Sequence, residues 1–133
     1  MFVGSEADRL AIRELLDSYS DAVMRRDRDG WGSLWAEQAI WRFRNSEVSG
    51  RAAILEHWSR AMDGFENLWF AAFPGSIVVD GDSAEMRSNT FEYLMPKDGP
   101  PRLQAGVYLD RLIREDGRWV FVERHFTPRE LKL

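Results

Sequence analysis

The chain has 133 residues, enough for one domain with a real core and too few for two. Its 44% hydrophobic and 30% charged content is that of a globular protein, and a net charge of -4 offers no basic surface to nucleic acid. With no cysteine there is no disulfide framework, thiol nucleophile or thiolate metal site.

No apolar run approaches the ~18 residues of a membrane span. The N-terminal MFVGSEADRL turns polar after three residues, unlike a signal peptide, so a cytoplasmic setting is expected. Ser5 and Asp8 resemble a capping box. After them Ile12, Leu15, Leu16, Tyr19, Ala22 and Val23 recur every three or four residues, predicting a helix to about Arg26. Asp27 or Asp29 is placed to cap a second helix through DRDGWGSLWAEQA, with Trp31, Leu34 and Trp35 on one side. AIWRF, residues 39–43, alternates large β-formers and predicts a strand. Ser49 is the expected cap of a third helix, GRAAILEHWSRAMDG, which Gly64 closes.

From residue 67 the apolar period changes to two. Strands are predicted at about 68–79, 83–95, 102–114 and 118–127, broken by Asp80-Gly81, the PKDGPPR loop and Asp116-Gly117. Three helices with a short strand, then four long antiparallel strands, predict a single α+β domain over residues 1–133. Its helices cover one face of a strongly curved, mostly antiparallel sheet.

Four stretches carry a family likeness: AIRELLDSYSDAVMRRDRDGWGSLWAEQAIW at the start, VSGRAAI before the third helix, VVDGDSA at the first hairpin, and the Y-x-D-x-x-x-x-x-D-G-x-W pattern from Tyr108 to Trp119. In this order they resemble the nuclear-transport-factor-two-like superfamily, and within it the SnoaL-like proteins. The resemblance implies a cone with a hydrophobic cavity at its wide end. The superfamily includes polyketide cyclases, ketosteroid isomerases, scytalone dehydratases, a dehydrochlorinase, subunits of ring-hydroxylating dioxygenases and non-catalytic binders, so fold alone does not give function.

The resemblance also implies site positions. Dehydratase-like members keep a catalytic histidine where this chain has Trp69 to Ala71, within NLWFAAFP; the aspartate partner of that dyad falls on Asp27, which helix capping also explains. The isomerases' oxyanion-holding tyrosine corresponds to Tyr19, which equally fits the apolar face of the first helix. Their general-base aspartate would fall near Phe43, where no carboxylate stands.

If Gly106 and Tyr108 face the cavity, as the resemblance implies, period two puts Gln104, Asp110 and Leu112 on the same side. On the neighbouring strand the same parity selects Ala84, Met86, Ser88, Thr90, Glu92 and Leu94. Glu92 and Asp110 are thus candidate pocket carboxylates whose pKa burial would raise, unless they lie at the rim paired with arginines. The opposite face, with Leu103, Ala105, Val107 and Leu109, is apolar and needs cover. Relatives commonly dimerise there, and a two-fold homodimer is expected.

His57 shares a helical face with Ile54, Trp58 and Ala61, as a core residue or a base. His125 and Arg124 point to opposite sides of the last strand, and one residue of register decides which faces inward. These histidines stand far apart with no paired-carboxylate spacing, so no metal site is expected. No Gly-rich phosphate loop or GxSxG motif suggests a cofactor or a serine nucleophile. Trp31, Trp41 and Trp58, with Phe70 and Tyr108, offer rigid aromatic walls for a flat apolar ligand.

The expected function is binding of a small hydrophobic, cyclic or aromatic molecule and a cofactor-free lyase- or isomerase-type acid–base step. Asp27 or His57 is the expected base and Tyr19 the hydrogen-bond donor. The alternative is a non-catalytic ligand-binding or accessory subunit, for example of a ring-hydroxylating oxygenase.

Overall fold

Three helices lie against the concave face of a curled, unclosed seven-stranded sheet in the computed structural model, which describes residues 1–131. The elements are β1 (Phe2–Val3), α1 (Glu6–Arg25), α2 (Arg28–Gly32), β2 (Trp35–Phe43), β3 (Ser46–Ser49), α3 (Arg51–Asp63), β4 (Phe65–Asp80), β5 (Ser83–Pro96), β6 (Arg102–Glu115) and β7 (Arg118–Arg129). The fold is α+β, as the sequence implies. Among the described residues no helix is long and apolar enough to cross a membrane.

Helix α1 starts where the Ser5 hydroxyl accepts the Asp8 amide at 3.1 Å and ends at Arg26, whose left-handed backbone (φ 55°) lets its amide reach the Ala22 and Val23 carbonyls. Its buried stripe from Ile12 to Val23 packs on β4 and β7. The Arg26 guanidinium donates to the Met62 and Phe65 carbonyls, tying the end of α1 to the junction of α3 and β4.

Two boundaries differ from the sequence expectation. Helix α2 stops at Gly32 instead of running to Ala39, and Trp35 already opens β2 beside Phe121, whose amide donates to the Leu34 carbonyl at 2.9 Å. Trp31 and Trp35 are both fully buried, and a four-residue spacing brings two side chains to one core from a helix and the strand after it as readily as from one helix. The cap of α3 is Gly50, not Ser49: Ser49 ends β3, while Gly50 takes φ 91° and donates its amide to the Ala39 carbonyl at 2.7 Å. That backbone conformation favours glycine.

The sheet order is β1-β4-β5-β6-β7-β2-β3, with the four long strands antiparallel in sequence and β1 and β2 pairing in parallel with β4 and β7. Two bulges set which side chains enter the cone. In β4 the register shifts between Pro74 and Ser76, so Leu68 and Phe70 are buried before it and Ile77 after it. In β7 the extra residue is Val122: Arg111 opposes Glu123 while Leu112 opposes Phe121. Trp119 and Phe121 are therefore buried before the bulge, and Arg124 and Phe126 after it. Gly106 is required where it stands, because a Cβ there would overlap the Phe126 ring and come within 2.8 Å of the Thr127 carbonyl oxygen.

Candidate active site

A cavity of about 250 Å³ lies between the concave sheet face and helices α1 and α3. Its walls are largely apolar, with Trp58 on α3, Leu68 and Phe70 on β4, Leu94 on β5 and Phe126 on β7. Seven polar or charged side chains reach it, four of them, Glu92, Arg102, Gln104 and Tyr108, placed by strand parity.

Glu92 points inward from β5 opposite Gln104 on β6, whose Nε2 donates to Glu92 Oε2 at 3.2 Å. Burial pushes the Glu92 carboxyl from 4.5 up to about 7, with the Arg102 charge pulling the other way. Glu92 can therefore both accept and release a proton near neutral pH.

Deeper in the cone sit two phenols. Tyr108 accepts a hydrogen bond from Trp41 Nε1 at 3.1 Å and adjoins Tyr19, which α1 brings down from above. Burial pushes both hydroxyls upward, so both keep their protons and can donate. Beneath them lies Arg124, fully buried. Its guanidinium carbon is 3.7 Å from the Tyr108 ring centre, 4.3 Å from that of Phe121 and 4.5 Å from that of Tyr19.

Asp110 holds that guanidinium in a two-pronged pair, Nε to Oδ1 at 2.7 Å and Nη2 to Oδ2 at 3.0 Å. Burial disfavours the Arg124 charge, but the Asp110 carboxylate outweighs it and the group is held charged. Nη1 has no partner among the described residues. The floor of the cavity is thus two O–H donors backed by a buried cation, opposite a carboxyl that titrates near neutrality. Such a set can move a proton and stabilise the negative charge that results.

The sequence candidates separate clearly in space. Tyr19, Trp41, His57, Trp58, Phe70, Glu92 and Tyr108 line the cavity. His57 is exposed at the mouth, its ring 5.1 Å from Phe43 and 5.7 Å from Trp41. Trp31 lies behind the wall, stacked on Trp58 at 4.6 Å with planes 10° apart. Asp110 is under the floor, engaged by Arg124, and does not line the cavity. Asp27 is outside it: Oδ1 accepts the Gly30 amide at 3.0 Å and caps α2. His125 is exposed on the convex face, because the bulge at Val122 turns Arg124 inward. Sequence reasoning missed Arg44 and Arg102 at the mouth, although Arg102 shares the inward parity of Gln104.

The SnoaL-like domain family matches residues 5–125. This chain belongs to the SnoaL-like domain family. Solved structures agree. A Mycobacterium tuberculosis protein of unknown function superimposes with a TM-score of 0.79 at 26% identity, over 94% of this chain and 73% of that one. A candidate scytalone dehydratase from Novosphingobium aromaticivorans gives 0.86 at 20% identity, over 93% and 85%. A hexachlorocyclohexane dehydrochlorinase from Novosphingobium barchaimii gives 0.80 at 18%, over 93% and 88%. At these lower identities the likeness is one of fold. No curated protein matches the chain significantly.

Against the family expectation for β4, this SnoaL-like domain turns Phe70 into the cavity and leaves Trp69 and Ala71 on the convex face. The strand that carries a histidine in dehydratase-like members is here an apolar wall. Among the described residues no three histidine, cysteine or acidic side chains gather as metal ligands.

Proposed function

We propose that this SnoaL-like domain binds a small, mostly apolar ring compound and transfers a proton at the carbon beside its carbonyl group, with Glu92 as base. The Glu92 carboxylate takes the proton from that carbon. The freed electron pair forms the enolate C=C bond, and the charge passes to oxygen, where the Tyr108 and Tyr19 hydroxyls donate to it. Where the ring carries a C=C bond β,γ to the carbonyl, the enolate extends to a dienolate, and protonated Glu92 returns the proton to the γ-carbon as the double bond moves into conjugation, an isomerisation. Alternatively a leaving group departs from the β-carbon with the electron pair, an elimination. Neither route needs a cofactor.

The observation that carries this reading is the half-buried Glu92 carboxyl, pushed up to about 7 by burial, in the same cavity as two protonated phenols. Glu92 takes the role the sequence offered to Asp27 or His57, since Asp27 caps a helix outside the cavity and His57 is at its mouth.

The test needs no knowledge of the natural substrate. 2-Tetralone, a two-ring ketone with acidic α-hydrogens, is incubated with the protein in deuterium oxide at neutral pH and its exchange followed by NMR. Exchange above the buffer rate, lost in Glu92→Gln and slowed about 100-fold or more in Tyr108→Phe, is the expected result. Exchange that survives Glu92→Gln intact would refute the role of Glu92. Binding without any exchange supports the second reading, a non-catalytic binder, which the apolar β4 wall at Phe70 favours.

The convex sheet face supports a two-fold homodimer as well. Trp69, Tyr93 and Leu103 form one cross-strand row, 63%, 40% and 39% exposed, and Ala71, Phe91 and Ala105 the next. Apolar rows of this kind on a sheet need cover.

A further inference from the structure

We infer that the ligand carries a carboxylate group, bound at the cavity mouth by Arg102 and Arg44 while its ring lies inside. This rests on the reading of the cavity as the ligand site, and it names the class of ligand: a ring compound with an acidic substituent at the end away from the tyrosines.

The argument begins with the fate of the arginines. The chain is acidic, with 22 Asp and Glu against 18 Lys and Arg, and many of its arginines are engaged by carboxylates or by backbone carbonyls. Arg25, Arg28, Arg42, Arg60, Arg111 and Arg114 each make an ion pair, and Arg124 makes the buried one. Arg13, Arg44, Arg102 and Arg129 have no hydrogen-bond or ion-pair partner among the described residues, and of these Arg44 and Arg102 line the cavity.

Their positions are built, not incidental. Arg102 is the first residue of β6 and has the inward parity of Gln104 and Tyr108. It stands across from Leu94, one inward step nearer the mouth than the Glu92–Gln104 pair. Its charge is felt by the Glu92 carboxyl, so it leans toward the cavity.

Arg44 sits in the tight turn between β2 and β3 with φ 54°, a left-handed conformation that suits glycine or asparagine far better than arginine. The turn sets Arg44 at the rim of the cavity. His57 adds a third nitrogen base on the Arg44 side, against Phe43 and Trp41.

Charge order along the cavity axis then dictates how a ligand enters. The mouth is cationic at Arg44 and Arg102, Glu92 follows, and the tyrosine hydroxyls lie deepest. A carboxylate at the mouth avoids Glu92 and meets planar guanidinium donors of matching geometry. The ring fills the space between Trp58 and Phe70, and a carbonyl at its far side reaches Tyr108. The exposed arginines attract the anion over distance and so speed its capture as well as hold it.

The experiment compares two ligands of equal shape, 2-naphthoate and 2-naphthamide, titrated by protein NMR against wild type, Arg44→Gln, Arg102→Gln and the double variant. Naphthoate is expected to bind about tenfold more tightly than naphthamide. Each single substitution should weaken naphthoate about threefold and the double about tenfold, with naphthamide unchanged. Raising salt from about 50 to about 500 mM should act like the double substitution. Equal affinity for the two compounds, or naphthoate binding indifferent to the double variant, would overturn the inference while leaving the cavity as a ligand site. Failure of both compounds to bind would sink the inference and the cavity reading together. Both positions are exposed, and unchanged amide spectra of the variants establish that they fold.

Discussion

Replacing Glu92 with glutamine should stabilise the protein, and only above the pH at which an ordinary glutamate ionises. The carboxyl titrates at about 7 in the folded chain against 4.5 when free, because burial disfavours its charge. Below pH 4.5 it is protonated whether the chain is folded or not, and its ionisation costs the fold nothing. Between 4.5 and 7 the unfolded chain releases the proton while the folded one keeps it, so stability falls as pH rises, and above 7 the loss is complete. At about 1.36 kcal/mol per pH unit the full loss is about 3 kcal/mol.

Glutamine is neutral throughout and of nearly the same shape, and its carbonyl still accepts from Gln104. Urea unfolding of both proteins at half-unit steps from pH 4 to 9 should therefore give equal stabilities at the acid end. At pH 8 the variant should be ahead by about 3 kcal/mol, near 10 °C in melting temperature for a domain of this size. A difference that does not change with pH, or one largest at pH 4, would refute the reasoning. The same substitution should remove proton transfer, so stability and activity trade against each other at one residue.

Other perturbations test separate parts of the structure. Asp110→Asn leaves Arg124 charged in a fully buried site and should cost about 3–5 kcal/mol of unfolding free energy, read by urea titration. Gly106→Ala drives a methyl group into Phe126 and the Thr127 carbonyl and should lower stability by about 2 kcal/mol or more, with a visible drop in melting temperature. Asp27→Ala removes the α2 cap and should cost about 1 kcal/mol while leaving tetralone exchange within about twofold of wild type. Trp69→Arg should turn the proposed dimer into a monomer by sedimentation equilibrium, since it puts a charge that must stay hydrated into the apolar row to be covered.

The sequence made the long elements legible because their signals are local. Alternation along Ala84 to Leu94 and Gln104 to Leu112 names the inward residues of β5 and β6, and burial of Ser88, Thr90, Tyr108 and Asp110 follows the same parity. What it withheld depends on partners distant in the chain. Val122 as a bulge is defined only by pairing with Arg111 and Leu112, and with it the opposite fates of Arg124 and His125. Helix α2 ends early because Trp35 pairs with Phe121, some 86 residues further on. β1 and β3 are too short for a periodic signal.

The site divides the same way. Parity found Glu92, but its unusual titration comes from being enclosed by α1, α3 and β4, which no motif records. Asp27 attracted attention through a family position, and its side chain is occupied by the Gly30 amide.

Trp31 and Trp58 lie parallel at 4.6 Å, and only Trp58 faces the cavity. Two indoles so close couple their electronic transitions, and the coupling depends steeply on separation and angle. Anything that enters the cavity and moves the Trp58 ring alters the circular dichroism of the pair. The protein thus carries an optical gauge of its own occupancy, readable without a label and before any ligand has been identified.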